Sequence, residues 1–451
     1  MRNPTGRRNR RVSVVSALVL VAAGAALAGA GPAAVGAAGP DGTTSRVSIG
    51  SDETQGDGGL GAPAMSPNGR FVVFTEFGAS FGDGDTNNTW DVFVRDRTLA
   101  TTSRVSVSSS ERLGNDRSAY GVVSADGRYV AFISWASNLV RGDTNRSADV
   151  FVRDRTLGTT RRVSVSSGER QGNNDSTTGF PASISADGRF VAFASEASNL
   201  VRGDTNRALD VFVRDLRQGI TRRMSVNSNE RQGNAASVEP VLSADGKRVL
   251  FLSSGSNLVS GDTNRSADVF MRYRPNGTTH RMSVSNSDAQ GNGDSGGGVA
   301  VSPDGLYVAF SSGASNMVSS DTNAVTDVFV RDRIGGTTQR VSVNSDGVQG
   351  DDPSRGASIS ADGQSVAFDS FATNLVDGDT NSQSDVFVRD RVAGTTYRAS
   401  VSSDGTQGDF DSGGPSISGD GSQVAFESFA RNLVPGDTNG GDDAFVREFG
   451  P

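Results

Sequence analysis

The 451-residue sequence has no cysteine, one histidine (His280), one lysine (Lys247) and two tryptophans (Trp90 and Trp135). Without cysteine no disulfide can form, so an oxidising compartment is compatible with the chain but adds nothing to its stability, which must come from packing or bound ions. A single histidine leaves little room for a Ser-His-Asp arrangement, because the base has to lie within reach of its nucleophile. Beyond residue 27 no apolar run approaches the ~20 residues of a membrane span. Basic residues number 43 against 51 acidic ones, for a net charge of −8. That balance disfavours nucleic acid as a partner.

Five arginines and no acid in the first eleven residues, followed by the apolar run Val12 to Leu27, predict a secretory signal peptide within residues 1–38. Small residues put the cleavage after Ala28, Ala30 or Ala38. Removing residues 1–38 takes five arginines and no carboxylate, so the mature charge becomes −13. The expected location is the cell envelope or the exterior, with no span left in the mature protein.

Repetition dominates the remainder. The segment "RVSV" or a close variant starts at Arg46, Arg104, Arg162, Arg223, Arg281, Arg340 and Arg398, in steps of 58 to 61 residues. Each unit continues with a polar "QGN" or "QGD" stretch, "SADG", a "VAF" run, "SNLVxGDTN" and "DVFVRDR". Periods of this kind signal a repeat architecture. Four short β-segments fit each unit: strand A before "ADG" (Ala182–Ser185), strand B (Val191–Phe193), strand C (Asp210–Val213) and strand D (Arg162–Ser166). A radial four-stranded antiparallel blade results, and seven blades make one all-β, seven-bladed β-propeller over residues 43–451. Because the repeats open with a D-type segment at Ser45–Ile49 and end after a C-type segment at Asp443–Val446, the N-terminal strand is expected to complete the last blade and close the ring.

"SPDG" at Ser302–Gly305, "SADG" in other units, the "VAF" strand and the "DVFV" strand together resemble the TolB-type, WD-like propeller repeat over residues 43–451. TolB itself carries a small domain ahead of its propeller that has no counterpart motif here.

The A–B and C–D turns are short ("ADG" and about "RTLGTT"), whereas the D–A and B–C loops are long and share one end of the ring. Long loops on a rigid scaffold are the expected binding face. The B–C loop carries D-x-N-x-x-x-D in every unit: Asp85/Asn87/Asp91, Asp143/Asn145/Asp149, Asp204/Asn206/Asp210, Asp262/Asn264/Asp268, Asp321/Asn323/Asp327, Asp379/Asn381/Asp385 and Asp437/Asn439/Asp443. Oxygen donors in a tight turn resemble half of a calcium loop. The same residues also build Asx turns without metal. Both readings stand at this stage.

"GDSGG" (Gly293–Gly297), "DSGGP" (Asp411–Pro415) and "GASFG" (Gly78–Gly82) imitate nucleophile motifs, yet they fall in loops whose other copies lack those residues, and none has a strand-turn-helix context. Peptidase chemistry is not expected. The D–A loops of blades two to four pair Glu111, Glu169 and Glu230 with adjacent arginines, while the corresponding loops of blades five, six, seven and one are acidic, so the long-loop face should be electrostatically two-sided. The function expected is non-catalytic binding or scaffolding of a protein, peptide or polysaccharide, with calcium as a stabiliser. A carboxylate-dependent glycoside hydrolase or lyase on the same face is the alternative.

Overall fold

The computed structural model describes residues 41–59, 61–78, 81, 85–176 and 179–450. The expected signal peptide, and part of the "GASFG" segment, lie outside the described residues. Strands run from Gly42 to Phe449 in seven four-stranded antiparallel sheets, each ordered A-B-C-D from inside to outside. This is the seven-bladed β-propeller expected from the repeats.

Blade three shows why the sequence folds this way. Strand B (Phe190–Ser195) and strand C (Asp210–Asp215) are buried nearly throughout, as central strands covered by neighbouring blades must be. Phe193 and Phe212 pair in register and stack with centroids 5.8 Å apart, and every other blade repeats the pair, as with Phe132/Phe151 and Phe426/Phe445. The A–B turn is held by its own aspartate: Ser185 donates to Asp187 Oδ1 at 2.6 Å, and that oxygen also accepts the Arg189 N–H. Gly188 follows at φ 69°, where a Cβ would overlap the Tyr129 ring of the preceding blade. Only glycine satisfies both demands.

These turns form a collar around the short-turn end. Ala125 N–H bonds Ala186 O, Ala186 N–H bonds Ala244 O, and Ala244 N–H bonds Pro303 O; Ala361 N–H bonds Gly419 O and Gly419 N–H bonds Pro67 O. The collar breaks at Pro303 and Pro67, which have no N–H to donate.

The closure takes the predicted form with a shifted register. Gly42–Arg46 pairs antiparallel with the final strand, from Gly42 opposite Phe449 to Arg46 opposite Phe445. Strand D therefore lies three residues earlier than the sequence reading placed it, both here and in every blade: Thr159–Arg162 replaces Arg162–Ser166. The cause is local. After Arg162 the chain leaves the ladder through a bond from Val165 N–H to Val163 O, a γ-turn repeated at Val226, Val284, Val343 and Val401. Ser164 then takes over as ladder partner through its side chain, accepting the Val150 N–H at 3.1 Å. Strand A also departs from expectation, spanning only Ser183–Ile184 in blade three and Ala64–Met65 in blade one.

Candidate functional site

The seven D-x-N-x-x-x-D loops are built alike, and an arginine occupies the centre of each. In blade three, Arg223 NH1 stands 2.8 Å from Asp210 Oδ2 and 3.5 Å from Asp204 Oδ1. Ser225 donates to Asp210 Oδ1 at 2.5 Å, Gln232 Nε2 reaches Asp204 Oδ1 at 3.2 Å, and Asn206 Nδ2 bonds Asp210 Oδ2 at 3.3 Å and Gly233 O at 3.0 Å. Asn206 Oδ1 accepts the Ala208 N–H, an Asx turn. Thus the arginine and serine of "RVSV" and the glutamine of "QGN" meet the aspartates of the B–C loop. Arg104, Arg162, Arg281, Arg340 and Arg398 likewise approach Asp85, Asp143, Asp262, Asp321 and Asp379 in blades one, two, four, five and six. In blade seven the partner comes from the closing strand: Arg46 lies 3.8 Å from Asp437 and 3.9 Å from Asp443.

The asparagine side chains of the loops all take one arrangement. In every blade the side-chain oxygen is taken by a backbone N–H two residues on: Asn87 Oδ1 accepts from Thr89, Asn145 from Ser147, Asn264 from Ser266, Asn323 from Val325, Asn381 from Gln383 and Asn439 from Gly441. The amide nitrogens, not the oxygens, face the carboxylates. Nδ2 of Asn87, Asn145, Asn264, Asn323, Asn381 and Asn439 donates to Asp91, Asp149, Asp268, Asp327, Asp385 and Asp443, at 3.1 to 3.3 Å. The same nitrogen reaches the carbonyl of Gly114, Gly172, Gly291, Gly350, Gly408 and Gly56 in the D–A loop alongside. This is the geometry of an Asx turn, with the amide nitrogen turned to the carboxylate.

Burial raises the carboxyl pKa of Asp91, Asp149, Asp268, Asp327 and Asp443, and that of Asp385 to about 6, with desolvation outweighing the neighbouring guanidinium. The loops are buried ion-pair networks that fix the start of strand C. Among the described residues, no three His, Cys, Asp or Glu side chains converge as a metal-holding group.

The apparent nucleophile serines are structural. Ser295 and Ser412 open strand A, are 1% and 3% exposed, and bond Ser312 Oγ and Ser428 Oγ at 2.9 and 2.8 Å. His280 sits on strand D of blade four, opposite Met271.

What distinguishes one part of the ring emerges on counting from the invariant strand-B phenylalanine. The following position is Thr75, Ile133, Ala194, Leu252 and Ser311 in blades one to five, but Asp369 and Glu427 in blades six and seven. The next is serine in six blades and Glu76 in blade one. The residue ahead of strand C is Asp442 in blade seven, where other blades carry Trp90, Ala148, Leu209, Ala267, Thr326 and Ser384. These carboxyls cluster at the long-loop end of blades six, seven and one. Glycine makes room for them: a Cβ at Gly356 would overlap Asp369 Oδ1, and one at Gly414 would lie 3.3 Å from Glu427 Oε1.

Asp369 is reached by Arg355 Nε at 3.4 Å, and burial lifts its pKa to about 6. Glu76 accepts the Gly58 N–H at 2.5 Å, has no partner for Oε2 among the described residues, and is pushed by burial to about 8. Glu427 and Asp442 are neighbouring buried carboxyls: burial pushes Glu427 to about 7 and raises Asp442 well above the usual carboxylate range, the charge of Glu427 adding to the effect on Asp442. Two buried carboxyls side by side cannot both ionise cheaply, so the pair holds a proton at neutral pH.

The position after those serines carries an aromatic ring on this side only: Phe77, Trp135, Phe371 and Phe429 in blades one, two, six and seven, against Glu196, Ser254 and Gly313 elsewhere. Phe77 is 37% exposed, Phe429 50% and nearby Phe410 46%. Trp90 packs edge-on against Phe77 at 5.1 Å. Guanidinium groups cover several of the rings: Arg117 lies 4.1 Å over Trp135, Arg355 5.6 Å over Phe371 and Arg431 5.8 Å over Phe410. Sequence reasoning missed the four-blade series, of which Trp135 is one member. A departure from the repeat consensus at one fixed offset was the signal that could have found it.

The glutamates expected to cancel their adjacent arginines pair elsewhere. Glu111, Glu169 and Glu230 bond Arg153, Arg214 and Arg272 of strand C, and Asp288 bonds Arg331 in the same way.

Fold and repeat chemistry define a TolB-like, seven-bladed β-propeller. No family model and no curated protein matches the sequence. Solved structures do match. An oligogalacturonate lyase in complex with manganese aligns with a TM-score of 0.50 at 13% identity, over 86% of this chain and 88% of that one. A prolyl endopeptidase aligns at 0.51 and 11% identity, over 91% of this chain and 51% of that one. TolB from Acinetobacter baumannii is also similar, with a TM-score of 0.40 and 16% identity over 76% of this chain and 64% of its own. At these identities the likeness is one of fold.

Proposed function

We propose that this chain is an exported binding module that takes a protein, peptide or polysaccharide on the long-loop face, along the arc of blades six, seven, one and two. The observation that carries the reading is the aromatic series Phe371, Phe429, Phe77 and Trp135, which breaks an otherwise near-exact repeat on one arc and leaves Phe429 and Phe410 half exposed. Exposed rings beside arginines are typical of recognition surfaces. Repeats that served packing alone would have no reason to vary together at one offset. The export segment supports a site of action outside the cytoplasm.

Calcium belongs to this reading as a stabiliser of the Asp-x-Asn loops, and it enters by competing with the arginine already between each pair of carboxylates. The test of the binding reading is a panel of immobilised polysaccharides and peptides probed with the native protein and with Phe429→Ser and Phe410→Ser. Loss of about tenfold or more in affinity for the ligand retained supports it, since truncating an aromatic anchor typically costs ≥ 2 kcal/mol. Unchanged retention overturns it.

A second reading is favoured by one specific feature, the neighbouring buried carboxyls of Glu427 and Asp442, both raised by burial. Such a pair is suited to general acid–base work on a sugar. Product release from the same polysaccharides, abolished by Glu427→Gln, separates enzyme from binder.

A further inference from the structure

A groove of about 790 Å³ runs along the outer wall of the ring between blades three and four. It follows strand D of blade three (Ile220–Arg223) from the short turns at Asp245 and Pro275 to the long loop at Val201 and Arg202. A four-residue strand is ~13 Å long, so the groove accommodates an extended chain. On a protein of net charge −8, its lining holds seven basic and three acidic side chains.

All three acids are already engaged. Asp215 pairs with Arg189 at 2.7 Å, Asp245 with Lys247 at 3.0 Å, and Glu230 with Arg272. Arg223 belongs to the buried network with Asp204 and Asp210. Three cations are left without a carboxylate. Arg202 and Arg222 are exposed and make no hydrogen bond or ion pair among the described residues. Arg274 is partly buried, lies 4.1 Å over the Phe190 ring, donates only to Gly246 O, and has an unpartnered Nε. Desolvation pushes its pKa down; the charge of Asp215, and less that of Asp245, works against this, while the positive charges of Arg222 and Arg189 add to it.

Among the described residues the strand-D position facing this arginine differs from junction to junction. The residue facing the counterpart of Arg274 is Ser103 opposite Arg155, His280 opposite Arg333, and Gln339 opposite Arg391, while Arg97 at the first blade is neutralised by Glu448. At the junction of blades four and five Arg248 acts on Arg333 in a similar way, so what sets the groove between blades three and four apart is the exposed strand-D guanidinium of Arg222 facing Arg274. Like charges held together in a half-desolvated groove are stabilised by an anion between them, and the guanidinium fork matches a carboxylate.

We propose that the groove between blades three and four binds an acidic polysaccharide, with a sugar carboxylate held between Arg222 and Arg274 and a second one at Arg202. The walls favour this ligand over a peptide. Met224 and Val226 are buried, and Phe190 is capped by Arg189 and Arg274, so no apolar pockets remain for alternate peptide side chains. The site lies away from the arc of blades six, seven, one and two and does not depend on it.

The test is equilibrium binding of a fluorescent oligoglucuronate to the full mature chain. A neutral cello-oligosaccharide, an oligoglutamate and an oligothymidylate of similar length serve as comparisons. Saturable oligoglucuronate binding that weakens with salt, and about tenfold or more with Arg222→Gln or Arg202→Gln, is expected, because a hydrogen-bonded charge pair is worth roughly that much. Both side chains are exposed, so unchanged melting temperatures confirm that the variants fold. Arg141→Gln, an exposed arginine on blade two, should leave binding unchanged. The proposal is overturned by no saturable binding, by insensitivity to Arg222 and Arg202, by an equal loss with Arg141→Gln, or by equal affinity for oligoglutamate or oligothymidylate.

Discussion

Arg223 sits 2.8 Å from Asp210, in the position where a calcium reading of the loop would put the cation. Each of the seven loops has such an arginine, so a divalent ion must displace a guanidinium that is already hydrogen-bonded and largely buried. Replacing it with a neutral side chain leaves two carboxylates facing each other without a counter-charge. Arg223→Gln should therefore lower the melting temperature in EDTA and recover more with 1 mM calcium than the native domain gains. With a dissociation constant near ~10⁻⁴ M, recovery would be roughly 1.4 kcal/mol. Equal calcium responses of variant and native protein would show that the arginine and the ion do not compete.

The buried carboxyls of blades seven and one give stability a definite pH dependence. Glu76 and Glu427 are raised to about 8 and about 7, above the ordinary glutamate value that holds in the unfolded chain. The folded state thus keeps protons the unfolded state has released, and stability falls as pH rises. Their contribution is complete below about pH 4.5 and is lost as pH passes through 7 and 8; each tenfold difference in proton affinity is worth about 1.4 kcal/mol. The melting temperature should be higher at pH 5.5 than at pH 9. Glu76→Gln, which mimics the protonated acid, should flatten that slope, and a slope unchanged by it would remove Glu76 as the cause.

Closure of the ring rests on Gly42–Arg46 and the residues that follow. Thr44 N–H bonds Ser403 Oγ at 3.0 Å, Ser48 bonds Asp443 Oδ1 at 2.6 Å, and Val47 is buried against the last blade. Deleting residues 42–50 removes an outer strand, a core valine and the arginine of the seventh network together. The expected result is cooperative loss of several kcal/mol, roughly the sum of a core truncation and a broken buried ion pair. An unchanged melting temperature would mean that the propeller closes without its clasp.

Much of this was legible in the sequence, for identifiable reasons. Seven copies of one unit fixed the blade count, and the missing last strand pointed to the clasp. The position of strand D was not legible, because "RVSV" alternates identically whether Val165 stays in the ladder or curls back on Val163. The motifs "GDTN", "RVSV" and "QGN" were each visible, but they belong to separate loops and strands, and only folding brings Arg223, Gln232, Asp204 and Asp210 together. Which end of the Asn206 amide faces Asp210 was equally hidden, since asparagine carries a donor and an acceptor on one carbon. Glu76, Glu427 and Asp442 stood out as departures from consensus; their burial did not, since nothing in a lone carboxyl's sequence context reveals the glycines that make room for it.

A last prediction concerns how neighbouring blades are fastened. Arg214 of strand C in blade three reaches back into the preceding D–A loop, where NH1 bonds Ser166 O at 3.1 Å, while it also bonds Gly219 O at 2.8 Å and Thr221 Oγ1 at 3.2 Å. Its NH2 pairs with Glu169, whose side chain is 68% exposed and whose backbone is left-handed at φ 59°. Blades six and seven keep the arginine, as Arg389 and Arg447, but carry Gly347 and Gly405 at the left-handed position. The carboxylate is therefore dispensable and the carbonyl contacts are not. Arg214→Gln should cost roughly 2–4 kcal/mol, because buried carbonyls lose their donor, whereas Glu169→Gln should cost about 0–1 kcal/mol, as for other exposed ion pairs. Glu169→Gly should be no worse than Glu169→Gln, since glycine relieves the left-handed backbone. Chemical denaturation of the three variants decides the matter: comparable losses for Arg214→Gln and Glu169→Gln would mean that the ion pair, and not the guanidinium-to-carbonyl contacts, fastens the blades.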